Sequence, residues 1–107
     1  MYRTEKDALV ASQTSNTPVP FMFYISSTNQ WAKGACAKGK RVGVFEIISS
    51  NGTVISKHSF NSSGLLNGDV FMYYPSGNIR SQITYKSGRE IIGSLKLFTA
   101  GGKEVVR

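Results

Sequence analysis

The sequence predicts an all-β protein. The expected architecture is an antiparallel β-meander of about three and a half 25-residue hairpin repeats in a single elongated, twisted sheet, with a short N-terminal helix or arm. Three observations carry this reading. Glycines recur at one interval: Gly43, Gly68 and Gly93 stand 25 residues apart, and so do Gly52, Gly77 and Gly102. The residues between them keep their type, as in Phe45, Val70 and Leu95, or Ile47, Met72 and Leu97. A fixed period of this size marks a repeat architecture. Finally, apolar residues beyond residue 20 show no sustained three-to-four spacing, so helices are not expected there.

Residues 1–19 form a separate segment. "TEKDALVA" reads as a short helix, with Thr4 as cap and Asp7 three residues later. Ser12 to Pro20 is polar and holds two prolines, Pro18 and Pro20. It reads either as an extended arm over an open apolar sheet face or as a frayed tail.

Residues 20–107 form the repeat domain. "FMFY" at 21–24 and "FMYY" at 71–74 read as the same strand two units apart. "VGVFEIISSNGTVISKHSF" and "DVFMYYPSGNIRSQITY" each place β-branched and aromatic runs on both sides of a turn. Asn51-Gly52 suits a turn needing positive φ, and Pro75 with Gly77 supplies fixed and permissive backbone angles. The last copy, "SLKLFTAGGKEVV", turns at Gly101-Gly102. Between hairpins lie "NSSGLLNG" and "KSGREIIG". Short strands with regularly spaced turn signals give seven or eight strands in a meander.

Side-chain alternation sorts the residues onto two faces. One face collects Phe45, Ile47, Val54, Phe60, Val70, Met72, Ile79, Ile83, Tyr85, Leu95 and Leu97, which keep their type from copy to copy. A shared packing surface requires that. The other collects Glu46, Ile48, Lys57, Phe71, Tyr73, Arg80, Gln82, Lys96, Phe98 and Arg107. There the copies differ: Glu46, Phe71 and Lys96 occupy one repeat position. A varied face is free to carry specificity.

The arrangement of glycine pair, aromatic-aliphatic strand, "YPSGN", second strand ending in tyrosine and "KSG" resembles the MORN-repeat variant family. Gly64 to Gly93 is the best copy, and the resemblance covers residues 39–107 well and 20–38 weakly. It departs at Ile48 and Ser49, where aromatics are usual, and at "REIIG", one residue longer than "LLNG". Bacterial members are often described as antitoxin components, and related MORN proteins with membrane junctions and phospholipid contact. The resemblance implies a scaffold, not a set of functional residues.

The residues themselves point away from catalysis. His58 is the one histidine and falls beside Phe60 on the conserved-type face, as a structural histidine does. The carboxylates of the repeats are scattered, so no acid–base dyad emerges. One His and one Cys leave a zinc site short of ligands. "GACAKGKR" matches G-x-x-x-x-G-K, but Arg41 replaces the required Ser/Thr and a strand follows instead of a helix. Asn51 and Asn61 fit the glycosylation pattern and read as turn residues. No cofactor is expected.

The net charge is +7. Arg3 and Lys6 are offset by Glu5 and Asp7 in the first twenty residues, so the excess belongs to the repeats. Lys33, Lys38, Lys40 and Arg41 cluster around the first inter-hairpin turn. Such a cluster suits a solvated loop, an acidic protein partner, anionic lipid or nucleic-acid phosphates. A lone cysteine, Cys36, suits a reducing compartment. With no signal-like apolar block near the N-terminus, the expected location is the cytoplasm. The expected function is that of a non-catalytic protein-binding module, concretely a bacterial antitoxin or immunity protein with a toxin of acidic surface as partner. The alternative is a peripheral binder of anionic lipid or nucleic acid. The expected contact residues are Phe71, Tyr73, Arg80, Lys96 and Phe98, together with Lys33, Lys38, Lys40 and Arg41.

Overall fold

A computed structural model describes residues 1–105, so Arg107 lies outside the described residues. Among the described residues one helix, α1 (Glu5–Ser12), precedes nine strands: β1 (Val19–Ile25), β2 (Gln30–Ala37), β3 (Lys40–Ser49), β4 (Val54–Phe60), β5 (Gly68–Tyr73), β6 (Ile79–Lys86), β7 (Arg89–Glu90), β8 (Lys96–Phe98) and β9 (Glu104–Val105). All strands belong to one antiparallel sheet in meander order, with β7 folded back onto the end of β6. The count exceeds the expected seven or eight because β7 and β9 are two-residue pairings.

The repeat is visible in the turns. Gly52, Gly77 and Gly102 have φ of 90°, 94° and 92°, a conformation glycine adopts without steric cost. Their N–H groups donate to the carbonyls of Ser49, Tyr74 and Thr99 at 2.9 Å each. One step further out, the N–H groups of these same three residues donate to Thr53, Asn78 and Lys103 at 2.8 Å each. Behind the first two of these turns the ladder slips: Ile47 faces Ser56 but Ile48 faces Val54, and Met72 faces Ser81 but Tyr73 faces Ile79. Ile55 and Arg80 are therefore the extra residues of two equivalent bulges. A bulge reverses the parity beyond it. Hence Val54 and Ile79 sit opposite Ile48 and Tyr73, on the varied face and not on the recurring one.

The first copy is shifted by one residue. The chain of pairs Met22–Lys33–Glu46–Lys57–Phe71 puts Met22, not Phe21, on the side of Phe71. The first hairpin runs without a slip, from Val19 opposite Cys36 to Ile25 opposite Gln30. Its turn bond, Thr28 N–H to Ile25 carbonyl, stands 24 residues before that of Gly52. "FMFY" and "FMYY" thus occupy equivalent strands but are one residue out of structural register, so Phe21 corresponds to Phe45 and Val70.

On the recurring face one row crosses the sheet: Phe23, Ala32, Ile47, Ser56, Met72, Ser81 and Leu97. Large and small side chains alternate along it. Ala32 and Ser56 are buried beneath their larger neighbours. This lets a one-layer sheet shield part of its own face.

The packed centre lies where α1 covers the recurring face of β1–β3. Thr4 caps the helix, its hydroxyl accepting the Asp7 N–H at 3.1 Å. Ala8, Phe21 and Cys36 are fully buried there, with Leu9, Val19, Phe23 and Phe45 around them. The cover over the apolar face is the helix itself and not the stretch from Ser12 to Pro20, which is mostly exposed up to Pro18 and enters β1 at Val19. Three contacts fix the helix. The Arg41 guanidinium donates two hydrogen bonds to the Glu5 carboxylate, at 2.6 and 2.8 Å. Its carbon also lies 4.2 Å from the Phe45 ring centroid. Ser12, buried, accepts the Gly39 N–H at 3.0 Å and donates to the Leu9 carbonyl. Tyr2 adds alongside β1, exchanging bonds with Pro20 and Met22. The molecule measures 46 × 32 × 20 Å.

Candidate interaction face

The face opposite α1 is open, and two rows run across it. The first follows from the strand register: Met22, Lys33, Glu46, Lys57, Phe71, Gln82 and Lys96. The second lies nearer the hairpin turns: Tyr24, Trp31, Ile48 and Val54 on β1–β4, then Tyr73 and Ile79 on β5 and β6, then Phe98 on β8. The first row carries the charges of Lys33, Glu46, Lys57 and Lys96 among Met22, Phe71 and Gln82, and the second is apolar or aromatic.

Four of the aromatic side chains form two separate pairs. Tyr24 and Trp31 meet edge-on at 5.1 Å between centroids and are exposed by 44 % and 36 %. Phe71 and Tyr73 lie 6.1 Å apart at 30°. Burial, and then the neighbouring Glu46 carboxylate, push the Tyr73 hydroxyl above its ordinary pKa. Arg80 is exposed at its bulge and lines a cleft of about 340 Å³ with Tyr73, Tyr74, Pro75, Val54 and Ile55. The Tyr74 hydroxyl donates to the Phe98 carbonyl at 2.6 Å, tying the last hairpin to its neighbour.

Phe71, Tyr73, Lys96 and Phe98 therefore share one face, with Arg80 at its edge. The basic cluster does not hold together. Lys33 is exposed on this face beside Glu46. Lys38 and Lys40 flank the β2–β3 turn, where Lys38 and Gly39 take positive φ and the Lys40 stem lies against Gly64. Arg41 points the other way and binds α1 through Glu5. Alternation explains the split, since Lys33 and Arg41 belong to opposite faces of adjacent strands. Lys33, Lys57, Arg80 and Lys96 make no ion pair among the described residues.

Tyr24 and Trp31 belong to this face and escaped the sequence reading. The one-residue offset of the first copy hid them. Trp31 shares parity with Lys33 two residues on, and that alternation was the available signal.

The groups with chemical potential sit elsewhere. His58 pairs with Phe45 in register and its ring lies 5.9 Å away. Burial, then the Arg41 charge, hold it below the ordinary imidazole value. Cys36 is buried, and burial with the Glu5 charge raises its thiol against the opposing effect of Arg41. Among the described residues no three of His, Cys, Asp or Glu gather as a metal site would need. No helix among them is long and apolar enough to cross a membrane. No family model, curated protein or solved structure matches this chain.

Proposed function

We propose that this chain is a non-catalytic protein-binding module of the MORN-repeat variant kind, and that its concrete role is to neutralise a bacterial toxin by direct binding. The observation that supports it is the open face. Trp31 and Tyr24 stand exposed on β1 and β2, Phe71, Tyr73 and Phe98 lie further along the same face, and four cations with no ion pair among the described residues lie on it as well. Aromatic and arginine side chains supply large, rigid contact area and dominate binding hot spots. The cations favour an acidic surface and steer its approach. The partner-binding set is Trp31, Tyr24, Phe71, Tyr73, Arg80, Lys96 and Phe98, with Lys33 and Lys57 in the same row.

Co-expression with each neighbouring reading frame tests this. The expected result is a growth-inhibiting frame that is silenced by the chain and coelutes with it. Tyr73→Ala or Arg80→Ala should weaken that complex by ~2 kcal/mol with the thermal midpoint nearly unchanged. Binding of an oligonucleotide or anionic vesicle, with no protein partner captured by neighbouring frames, would replace this reading with the peripheral-binder one.

A further inference from the structure

We infer that the partner element gripped by the open face is an acidic amphipathic α-helix lying across the strands. This rests on the protein-binding reading and specifies its ligand. The two rows run perpendicular to the strands, one holding Lys33, Glu46, Lys57 and Lys96 and the other apolar or aromatic throughout. A ligand matching both needs a charged stripe beside an apolar stripe along its length. Within the charged row Lys33 is on β2, Lys57 on β4 and Lys96 on β8. The order β2-β3-β4-β5-β6-β8 makes these two and three strand spacings. At about 4.8 Å per strand the steps are roughly 10 and 14 Å.

A helix advances about 5.4 Å per turn. Laid along the row it advances about one turn for each strand it crosses, and the excess of roughly 3 Å over five spacings is within the reach of a lysine side chain. Two turns are seven residues and three turns are eleven. Carboxylates at i, i+7 and i+18 of one helix then fall on one face and meet Lys33, Lys57 and Lys96. A cation at i+3 or i+4 meets Glu46, and an apolar residue one turn past i+7 meets Phe71. The aromatic row takes the adjacent apolar stripe. An extended segment fits poorly, because three residues cover roughly 10 Å but place the second carboxylate on its opposite side. The molecule is thin enough to receive a straight rod: its least dimension is 20 Å, and that includes the α1 layer.

The test uses the full chain and a synthetic peptide of about 22 residues with this pattern. A control peptide has the same composition and a scrambled order. Trp31 is the single tryptophan and lies on the face, so its emission reports occupancy. The patterned peptide should shift that emission and gain helicity by circular dichroism, and the scrambled one should do neither. Lys96→Glu should weaken binding roughly tenfold, and lysine in place of the last acidic residue of the peptide should restore it. The variant's thermal midpoint shows that it is folded, and Lys33→Glu with a swap at the first acidic position repeats the test at the other end. Equal binding of both peptides, or swaps that restore nothing, overturns the inference. If the peptide fails while Tyr73→Ala still weakens the complex with the proposed protein partner, the helix is wrong and the protein-binding reading stands. If a thymidine oligonucleotide or anionic phospholipid vesicles shift Trp31 emission more strongly, and Lys96→Glu blocks them, both fall.

Discussion

Gly34 shows how one missing side chain sets the packed centre. A β-carbon there would lie 2.7 Å from Cζ of Phe21 and 3.0 Å from Cδ2 of Phe45. Both atoms belong to rings held in place, Phe21 being fully buried. Gly34→Ala should therefore cost ~1–3 kcal/mol, the range for overpacking a filled core, read from a chemical denaturation midpoint. His58 supplies a second residue-scale expectation. Its pKa is lowered in the folded state by burial and by Arg41. The unfolded chain then takes up the proton first as pH falls. The contribution of His58 to stability is complete above the ordinary value of 6.5 and is lost as pH falls through the lower folded value. His58→Gln should flatten the midpoint-versus-pH curve in that window and leave it unchanged above. The sequence named His58 as structural and placed it beside Phe60, because parity in β4 is intact there. It placed Val54 and Ile79 on the wrong face because each lies beyond a bulge, and a bulge leaves no mark in a pattern of alternating types.

Hairpins were the legible element and the helix contact was not. Gly52, Gly77 and Gly102 announce equivalent turns because only a permissive residue takes those angles at low cost. The helix was legible through Thr4, but its seat was hidden. That seat needs small residues where other copies carry large ones. Gly34 and Cys36 stand 24 residues before His58 and Phe60, and a 25-residue comparison misses the substitution. Ser12 joins the helix to the β2–β3 turn and is fully buried. Ser12→Ala should cost ~1–3 kcal/mol, since the Gly39 N–H loses its acceptor at a part-buried site. Arg41→Ala should also destabilise the fold, through the Glu5 bridge and the Phe45 stacking. The bridge is partly exposed, so the lost ring contact accounts for much of that effect. A basic residue read from sequence as partner-facing thus belongs to the scaffold, because a count of nearby charges carries no information about which face each one takes.

At the scale of the whole molecule, the sheet separates its charges. Arg41 serves α1, Lys38 and Lys40 sit at one turn, and Lys33, Lys57 and Lys96 form a row on the open face. Net charge alone makes these positions equivalent, and the fold makes them unequal. Exposed charges act on an approaching partner over about one Debye length, roughly 8–10 Å at physiological salt. Charges inside the footprint act in addition on the formed complex. Reversing Lys33 and Lys96 together should therefore slow association with the proposed protein partner and reduce its dependence on salt, and should speed dissociation as well. Reversing Lys38 and Lys40 removes the same total charge from the edge of the molecule. It should slow association less and leave dissociation unchanged. Stopped-flow or surface kinetics at three salt concentrations separates the two pairs. Equal effects would mean that the partner senses net charge alone, and that the row has no special place in the interface. A larger effect on dissociation at Lys38 and Lys40 would move the binding surface to the groove between the β2–β3 turn, Val42 and Val44, which Asn16 and Pro18 border.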